Sequence, residues 1–107
     1  DYARAEPLYN RSLQIREKVF GLDNPSVSNS LNGLAELYRL KSDYQRAEPL
    51  YKRALAIREK AFGADHPSVA IVLDNLGSLY LNRGLYSQAE PLQKRAAAIF
   101  ERAYGPE

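Results

Sequence analysis

The chain has 107 residues, of which 45% are hydrophobic and 26% charged, and its formal net charge is +2. This composition is typical of a folded domain, and the interspersed charges form no block that would attract nucleic acid. The absence of cysteine excludes disulfides and thiolate metal sites. The sequence starts with Asp1 and contains no methionine, so we expect it to be a piece of a longer protein.

Five helices are predicted in chain order, alternating between long and short, at about residues 2-20, 25-41, 44-62, 67-83 and 86-104. In the long helices, apolar residues recur at spacings of three and four, as in Tyr44, Ala47, Tyr51 and Ala54. The short helices carry a similar stripe, with polar residues between its members. Gly63 follows a long helix, where a residue in the left-handed conformation would end it, and Pro67 lies in the first turn of the next helix. Gly21 and Pro25 repeat this arrangement.

The sequence repeats itself every 42 positions. The motif Y-x-x-A-E-P-L begins at Tyr2, Tyr44 and Tyr86. A unit of this length buries its apolar side against its neighbours, which predicts a solenoid. Between residues 1–42 and 43–84 there are 24 identical positions, and 16 of these lie in the first 21. The long helices are therefore more alike than the short ones.

The pattern L-x-x-L-A-x-L-Y from Leu31, followed by Y-x-x-A-x-x-x-Y-x-x-A from Tyr44, resembles the tetratricopeptide repeat. The usual unit of that family has 34 residues, and the extended form with A-E-P-L-Y-K-R-A-L-A-I-R-E-K resembles the repeats of kinesin light chains. The resemblance implies an all-α, right-handed superhelical solenoid of antiparallel helix pairs, with five helices in this chain. It also implies that the shorter A helices line a concave groove for a peptide or helix of a partner protein.

The candidate binding surface follows from the positions that differ between the two A helices. By family geometry, several of them face the concave side. Asn and Asp are unfavourable within helices, and their presence suggests a use in binding the backbone of a peptide. The alternative is that they are ordinary exposed positions. The candidate groove residues are Asn29, Asn32, Glu36, Arg39, Ile71, Asp74, Asn75, Ser78 and Asn82.

An acidic peptide at the groove edge is a further alternative, because basic residues remain near it. These residues are Arg4, Arg39, Arg46 and Arg83. The alternative is that they are ordinary solvated side chains. The cations by which chaperone-adaptor members of the family hold a terminal carboxylate are missing, so we reject that clamp.

Catalysis and metal binding find little support in the sequence. His66 is the sole histidine and lies between Asp65 and Pro67, so it cannot anchor a usual zinc site. Asp65, His66 and Ser68 are better explained by helix capping than by a catalytic triad. We therefore expect no enzyme activity, no catalytic or metal-binding residues and no cofactor, nucleic acid or membrane partner, in a cytoplasmic protein.

We expect one solenoid fragment over residues 1-107, with a lone helix B in 1-24 and repeats at 25-66 and 67-107. The main hypothesis is a protein-protein interaction scaffold. The alternative is a structural spacer or self-assembling segment of a larger multidomain protein, such as a signalling ATPase. Because the two terminal helices lack partners, the isolated fragment is expected to self-associate end to end through 2-20 and 86-104.

Overall fold

The computed structural model describes residues 1–105 and consists there of five α-helices joined by short turns. The helices are α1 (Tyr2–Phe20), α2 (Pro25–Leu40), α3 (Tyr44–Phe62), α4 (Pro67–Asn82) and α5 (Tyr86–Tyr104). The predicted all-α fold is confirmed, with α2 and α4 each ending one residue earlier than expected. Residues 1–105 contain no strand.

The helix ends differ between equivalent positions of successive repeats. The side chains of Asn24 and His66 accept a hydrogen bond from the backbone N–H of the second residue of α2 and α4, respectively. Asp43 caps α3, whereas Leu85, at the equivalent position before α5, makes no side-chain cap. Gly63 ends α3 at a φ of 91° and a ψ of 160°, a region open essentially to glycine alone. The φ is positive, but the ψ lies far from the left-handed helical value, so the predicted left-handed conformation at this position is wrong.

Each helix packs against the next along the chain, and α2 also contacts α4. The core lies between the helices, where the apolar stripes meet. Leu31, Ala47 and Leu73 have no exposed surface, as the predicted stripes require. The largest fully buried side chain is that of Tyr51 in α3. Serial packing of this kind makes each helix depend on its immediate neighbours for burial.

Ion pairs connect the long helices of successive repeats. Arg53 of α3 donates to Glu17 of α1 at 2.6 Å, and Arg95 of α5 donates to Glu59 of α3 at 2.8 Å. Lys60 contacts Asp23 at 3.1 Å, and the equivalent Arg102 contacts Asp65 at the same distance. These exposed or half-exposed pairs contribute little stability each, and they recur at equivalent positions of successive repeats.

The outer faces of the terminal helices are the most exposed apolar surfaces of the molecule. Leu8 and Val19 of α1, with Tyr86 and Tyr104 of α5, each expose more than half of their surface. No helix within residues 1–105 combines the length and the apolar character that crossing a lipid bilayer requires.

Candidate functional site

The shorter helices α2 and α4 lie side by side and form what we call the A-helix surface, on which all nine candidate groove residues lie. A depression of about 440 Å³ opens where this surface meets α1. Asn32 and Glu36 of α2 and Asn75 of α4 line it, and they are joined by apolar and aromatic side chains that the sequence analysis did not select. These additional residues are Tyr2, Ala5, Tyr9, Leu37 and Leu40.

Asn32 and Asn75 form a hydrogen-bonded amide pair within this depression. The Nδ2 of Asn75 donates to the Oδ1 of Asn32 at 3.2 Å, and both side chains are half-buried. An amide has two donor hydrogens and an acceptor oxygen. The Nδ2 group of Asn32 and the Oδ1 of Asn75 make no other hydrogen bond within the described chain. One remaining donor and one remaining acceptor are the groups that the C=O and N–H of a peptide backbone can bind.

Glu36 and Arg39 form a second, charged cluster near the C-terminal ends of α2 and α4. The guanidinium of Arg39 donates two hydrogen bonds of 2.8 Å to the Glu36 carboxylate and a third, of 2.9 Å, to the Oδ1 of Asn82. The buried Tyr51 hydroxyl also donates to Glu36, at 2.9 Å. Arg39 and then Tyr51 lower the pKa of Glu36, against the opposing effect of burial. Three of the predicted groove residues are thus held in fixed positions by one another.

Asn29 and Ile71 lie apart from these clusters, at the N-terminal ends of α2 and α4. They line a second depression of about 440 Å³ together with Phe62 and Arg58 of α3. Phe62 and Ile71 are both exposed, so this depression combines an apolar surface with polar groups. Five of the nine predicted groove residues therefore line two separate hollows, and the other four, Arg39, Asp74, Ser78 and Asn82, line neither.

Arg58 is a candidate site residue that the sequence analysis did not select. Its side chain is 7% exposed and donates to the Ser28 hydroxyl at 2.8 Å, to the Ser68 carbonyl at 2.9 Å and to the Asn29 Oδ1 at 2.9 Å. All three acceptors are neutral, and no carboxylate within residues 1–105 lies within 4.0 Å of the guanidinium. Burial lowers the pKa of Arg58. The side chain joins α2, α3 and α4 while its charge lacks a counterion.

The sequence did contain a signal for Arg58. It falls four residues after Ala54 and seven after Tyr51, within the stripe of α3 that faces the core. An arginine on such a stripe must either reach the surface or find polar partners inside.

The remaining candidate residues have no specific partner. Asp74 is exposed and Ser78 is half-buried, and neither makes a side-chain hydrogen bond within the described chain. The four arginines proposed for an acidic peptide each pair with a carboxylate instead. Arg4 contacts Asp1 at 3.8 Å, Arg39 contacts Glu36 at 2.8 Å, Arg46 contacts Asp43 at 3.4 Å and Arg83 contacts Glu48 at 2.6 Å.

His66 has the capping role that its position predicts. Its Nδ1 accepts the backbone N–H of Ser68 at 3.0 Å and lies 2.8 Å from the Ser68 hydroxyl. The ring stacks on Phe62 with a centroid distance of 4.7 Å. Asp65 points elsewhere and pairs with Arg102. In the part of the chain that the structure describes, no group of three or more His, Cys, Asp or Glu residues could hold a metal ion.

Two solved structures show how similar chains are built. BtubC (BKLC) from P. vanneervenii is 30% identical, with a TM-score of 0.87, and the match covers 99% of this chain and 42% of that one. A candidate kinesin light chain of Podosopora anserina with nearly identical TPR-like repeats is 25% identical, with a TM-score of 0.85 over 95% of this chain and 48% of that one. The chain thus spans less than half the length of either protein. Both matches confirm the predicted solenoid and the resemblance to kinesin light chain repeats.

A family model agrees with this likeness. The model of the tetratricopeptide repeat matches residues 1–60 and again residues 38–102, which together include nearly the whole chain. None of the curated proteins matches the sequence. The chain therefore belongs to the tetratricopeptide repeat family.

Proposed function

We propose that this chain is a non-enzymatic binding module that holds an extended peptide, or a helix, of a partner protein against the A-helix surface. Repeats of the tetratricopeptide family commonly serve as protein-protein interaction scaffolds. The proposal assigns the contact to the two hollows lined by the predicted groove residues of α2 and α4.

The single observation that supports this most strongly is the Asn32–Asn75 pair. Its two remaining hydrogen-bonding groups lie in a depression flanked by Tyr2, Tyr9 and Leu40. A peptide backbone satisfies one donor and one acceptor at once, irrespective of its side chains. The neighbouring rings and Leu40 offer apolar surface for the side chains of the bound segment. Polar groups that fix orientation within a partly apolar hollow are typical of binding sites.

Arg58 adds a preference for the charge of the partner. A buried cation surrounded by neutral acceptors gains most from a carboxylate that approaches it. Phe62 and Ile71 lie beside it, exposed to solvent. We therefore expect the bound segment to carry an Asp or Glu near an apolar residue. This assigns the acidic contact to Arg58 rather than to Arg4, Arg39, Arg46 and Arg83, whose charges are already paired.

Titration of the chain with a displayed peptide library tests the proposal. The best binders are synthesised, and their affinities are measured by fluorescence anisotropy for the parent chain and for a variant with Asn32→Ala, Asp74→Ala and Asn75→Ala. We expect the variant to bind at least about tenfold more weakly, since it loses hydrogen bonds to the peptide backbone. Arg58→Gln is expected to weaken the binding of acidic peptides more than the binding of peptides in which the same Asp or Glu is replaced by Asn or Gln.

A matched variant changes exposed polar residues of the long helices outside the A-helix surface. Gln14→Ala, Ser87→Ala and Gln88→Ala alter three such positions. This variant should bind like the parent, and circular dichroism should show that all variants are folded. A library without binders, or affinities unchanged in the Asn32/Asp74/Asn75 variant, would refute the groove assignment.

The exposed outer faces of α1 and α5 favour a second candidate function, that of a structural spacer or self-assembling segment. In this view the lone helix B in 1-24 and the repeats 25-66 and 67-107 extend a larger protein, such as a multidomain signalling ATPase, and bind mainly each other. Residues 106 and 107 of the last unit lie outside the described part. Sedimentation at several concentrations tests it: end-to-end association should increase with concentration, and a stable monomer throughout would exclude self-assembly.

A further inference from the structure

The N-terminal caps of α2 and α4 occupy equivalent positions, but only one of them can change its charge near neutral pH. Asn24 accepts the backbone N–H of Ser26 at 2.9 Å, and His66 accepts the backbone N–H of Ser68 at 3.0 Å. The amide of Asn24 keeps its acceptor oxygen at every pH in this range. Histidine is the side chain whose ordinary change of charge falls between pH 5 and 8, and the chain has only one.

The bond from Ser68 determines which ring nitrogen of His66 carries hydrogen. A ring nitrogen that accepts a backbone N–H carries no hydrogen itself, so the neutral ring is protonated at Nε2. Its Nδ1 also lies 2.8 Å from the Ser68 hydroxyl, which is then the donor in that contact. Nδ1 therefore receives both donors of Ser68. A second proton on the ring binds to this nitrogen and removes the acceptor.

Protonation of Nδ1 places a ring N–H against the backbone N–H of Ser68. The Ser68 hydroxyl can rotate and accept the new hydrogen, but the backbone N–H has no such choice and loses its partner. The imidazolium also lies at the positive end of the dipole of α4. Both effects weaken the start of α4, whereas Asn24 keeps α2 capped.

The charged side chains of the segments around His66 are mostly cations. They are Arg58, Glu59 and Lys60 of α3, Asp65 of the preceding loop, and Arg95 and Arg102 of α5. Glu59 binds Arg95 at 2.8 Å. Asp65 binds Arg102 at 3.1 Å. Both carboxylates of this set thus already hold a cation in the described chain, while Arg58 is buried on the other side of Ser68 and donates to its carbonyl at 2.9 Å.

His66 also contacts two residues of the depression at the N-terminal ends of α2 and α4. Its ring stacks on that of Phe62 with a centroid distance of 4.7 Å and an interplanar angle of 24°. Phe62 and Ser68 both line this depression. The two contacts of His66 therefore hold an aromatic part and a helical part of its wall.

We propose that His66 is an acid-sensitive switch that loosens the first turn of α4, and with it the wall of this depression, between about pH 7.5 and 5.5. The neutral ring stabilises the fold through its cap, and this contribution is lost as acid protonates the ring in the folded protein. The cap of α2 has no such dependence. The switch acts whether or not the depression binds a peptide, so this proposal and the proposed function can fail separately.

Urea unfolding of the parent chain and of His66→Asn at pH 7.5 and 5.5 tests the switch. Between these values, the folding equilibrium constant of the parent should fall about three- to fivefold relative to that of the variant, because an N-cap is lost only in the parent. All other titrating groups are the same in both proteins and cancel in the ratio. Asn24→His is the matched variant, and it should lose a further few-fold on acidification because it places a second titratable cap on α2.

Amide hydrogen exchange followed by NMR locates the change. After correction for the intrinsic effect of pH on exchange, the Ser68 amide of the parent should lose protection at pH 5.5, whereas the Ser26 amide should not. In His66→Asn both amides should keep their protection. In Asn24→His the loss should extend to the Ser26 amide.

Three results would overturn the proposal. Equal acid dependence of the parent and His66→Asn would show that protonation of His66 is not coupled to folding. Unchanged protection of the Ser68 amide in the parent would show that the cap survives protonation. An Asn24→His variant with no added acid-dependent loss would show that a histidine at this cap position does not act as a switch.

Discussion

The helices α1 and α3 have nearly the same sequence and very different surroundings. Tyr51 and Ile57 of α3 are 0% and 4% exposed, whereas the equivalent Tyr9 and Ile15 of α1 are 37% and 51% exposed. The difference arises because α3 packs between α2 and α4, while α1 packs on α2 and reaches α3 through the Glu17–Arg53 ion pair. The same residues therefore become core or surface according to what stacks beside them, as expected for a solenoid.

Truncating the equivalent isoleucines gives the largest expected effect of this comparison. Ile57→Ala should lower the free energy of unfolding by about 2–4 kcal/mol, because it leaves a cavity in the core. Ile15→Ala should cost less than about 1 kcal/mol, since its side chain is half in water already. Urea unfolding of both variants measures the difference. Equal costs would show that the outer face of α1 is covered in solution.

Three carboxylates bound by cations and tyrosines should make stability depend on acid pH. Lys41 lowers the pKa of Glu6 by its hydrogen bond, Arg39 lowers that of Glu36, and Lys52, followed by Tyr80, lowers that of Glu48, all from a usual value of 4.5. A lowered pKa in the folded state stabilises the fold above pH 4.5, and this contribution is lost as the pH falls through the folded-state values.

Glu48→Gln tests this at one position. It should cost about 1–2 kcal/mol at pH 7, because Tyr80 and Arg83 lose a charged acceptor. It should also flatten the profile of stability against pH below 4.5. Urea unfolding at pH 7, 4 and 3 checks both effects. A variant as pH-dependent as the parent would show that this carboxylate does not contribute to the acid sensitivity.

Exchanging the caps of α2 and α4 should have a smaller effect. Asn24 and His66 occupy equivalent positions, and both side chains accept the N–H of the second helical residue. Asparagine is among the most favourable N-cap residues, so His66→Asn should raise the free energy of unfolding by about 0.5–1 kcal/mol. Asn24→His should lower it. Thermal unfolding of the two variants tests both predictions. Shifts of the unfolding midpoint with the same sign would show that the difference between the asparagine and histidine caps is not the cause.

The turns before α3 and α5 give the smallest expected effect. Ser42 has a φ of 63°, and the equivalent Gly84 has a φ of 74°. Serine is strained in this region and glycine is not, although glycine also makes the unfolded chain more flexible. Ser42→Gly should therefore raise the free energy of unfolding by about 0.5 kcal/mol, and Gly84→Ser should lower it by a similar amount. Chemical unfolding measures both changes. A Ser42→Gly variant less stable than the parent would show that Ser42 is not strained.

The sequence was sufficient for the helices because their signals are local. Apolar spacing together with Gly63 and Pro67 placed each helix end within about a residue. Leu31, Ala47 and Leu73 were expected in the core and are fully buried. Periodicity within each unit therefore carries most of the information about this fold.

The site was less predictable because its contacts join residues far apart in the chain. Asn32 meets Asn75, and Arg39 meets Asn82, only after two repeats are stacked. These bonds give the asparagines a structural use between repeats, beside the proposed use in peptide binding. The neutral partners of Arg58 depend on where three helices converge, which no spacing within one helix indicates.

Leu85, which replaces the capping aspartate before α5, has a consequence for how the stack comes apart. It packs against the core instead of binding the first backbone amides of its helix. With no side chain to hold these amides, α5 begins with its weakest turn. Thermal fluctuations within α5 should therefore open this first turn before the turns that bury Ala89, Ala96 and Ile99.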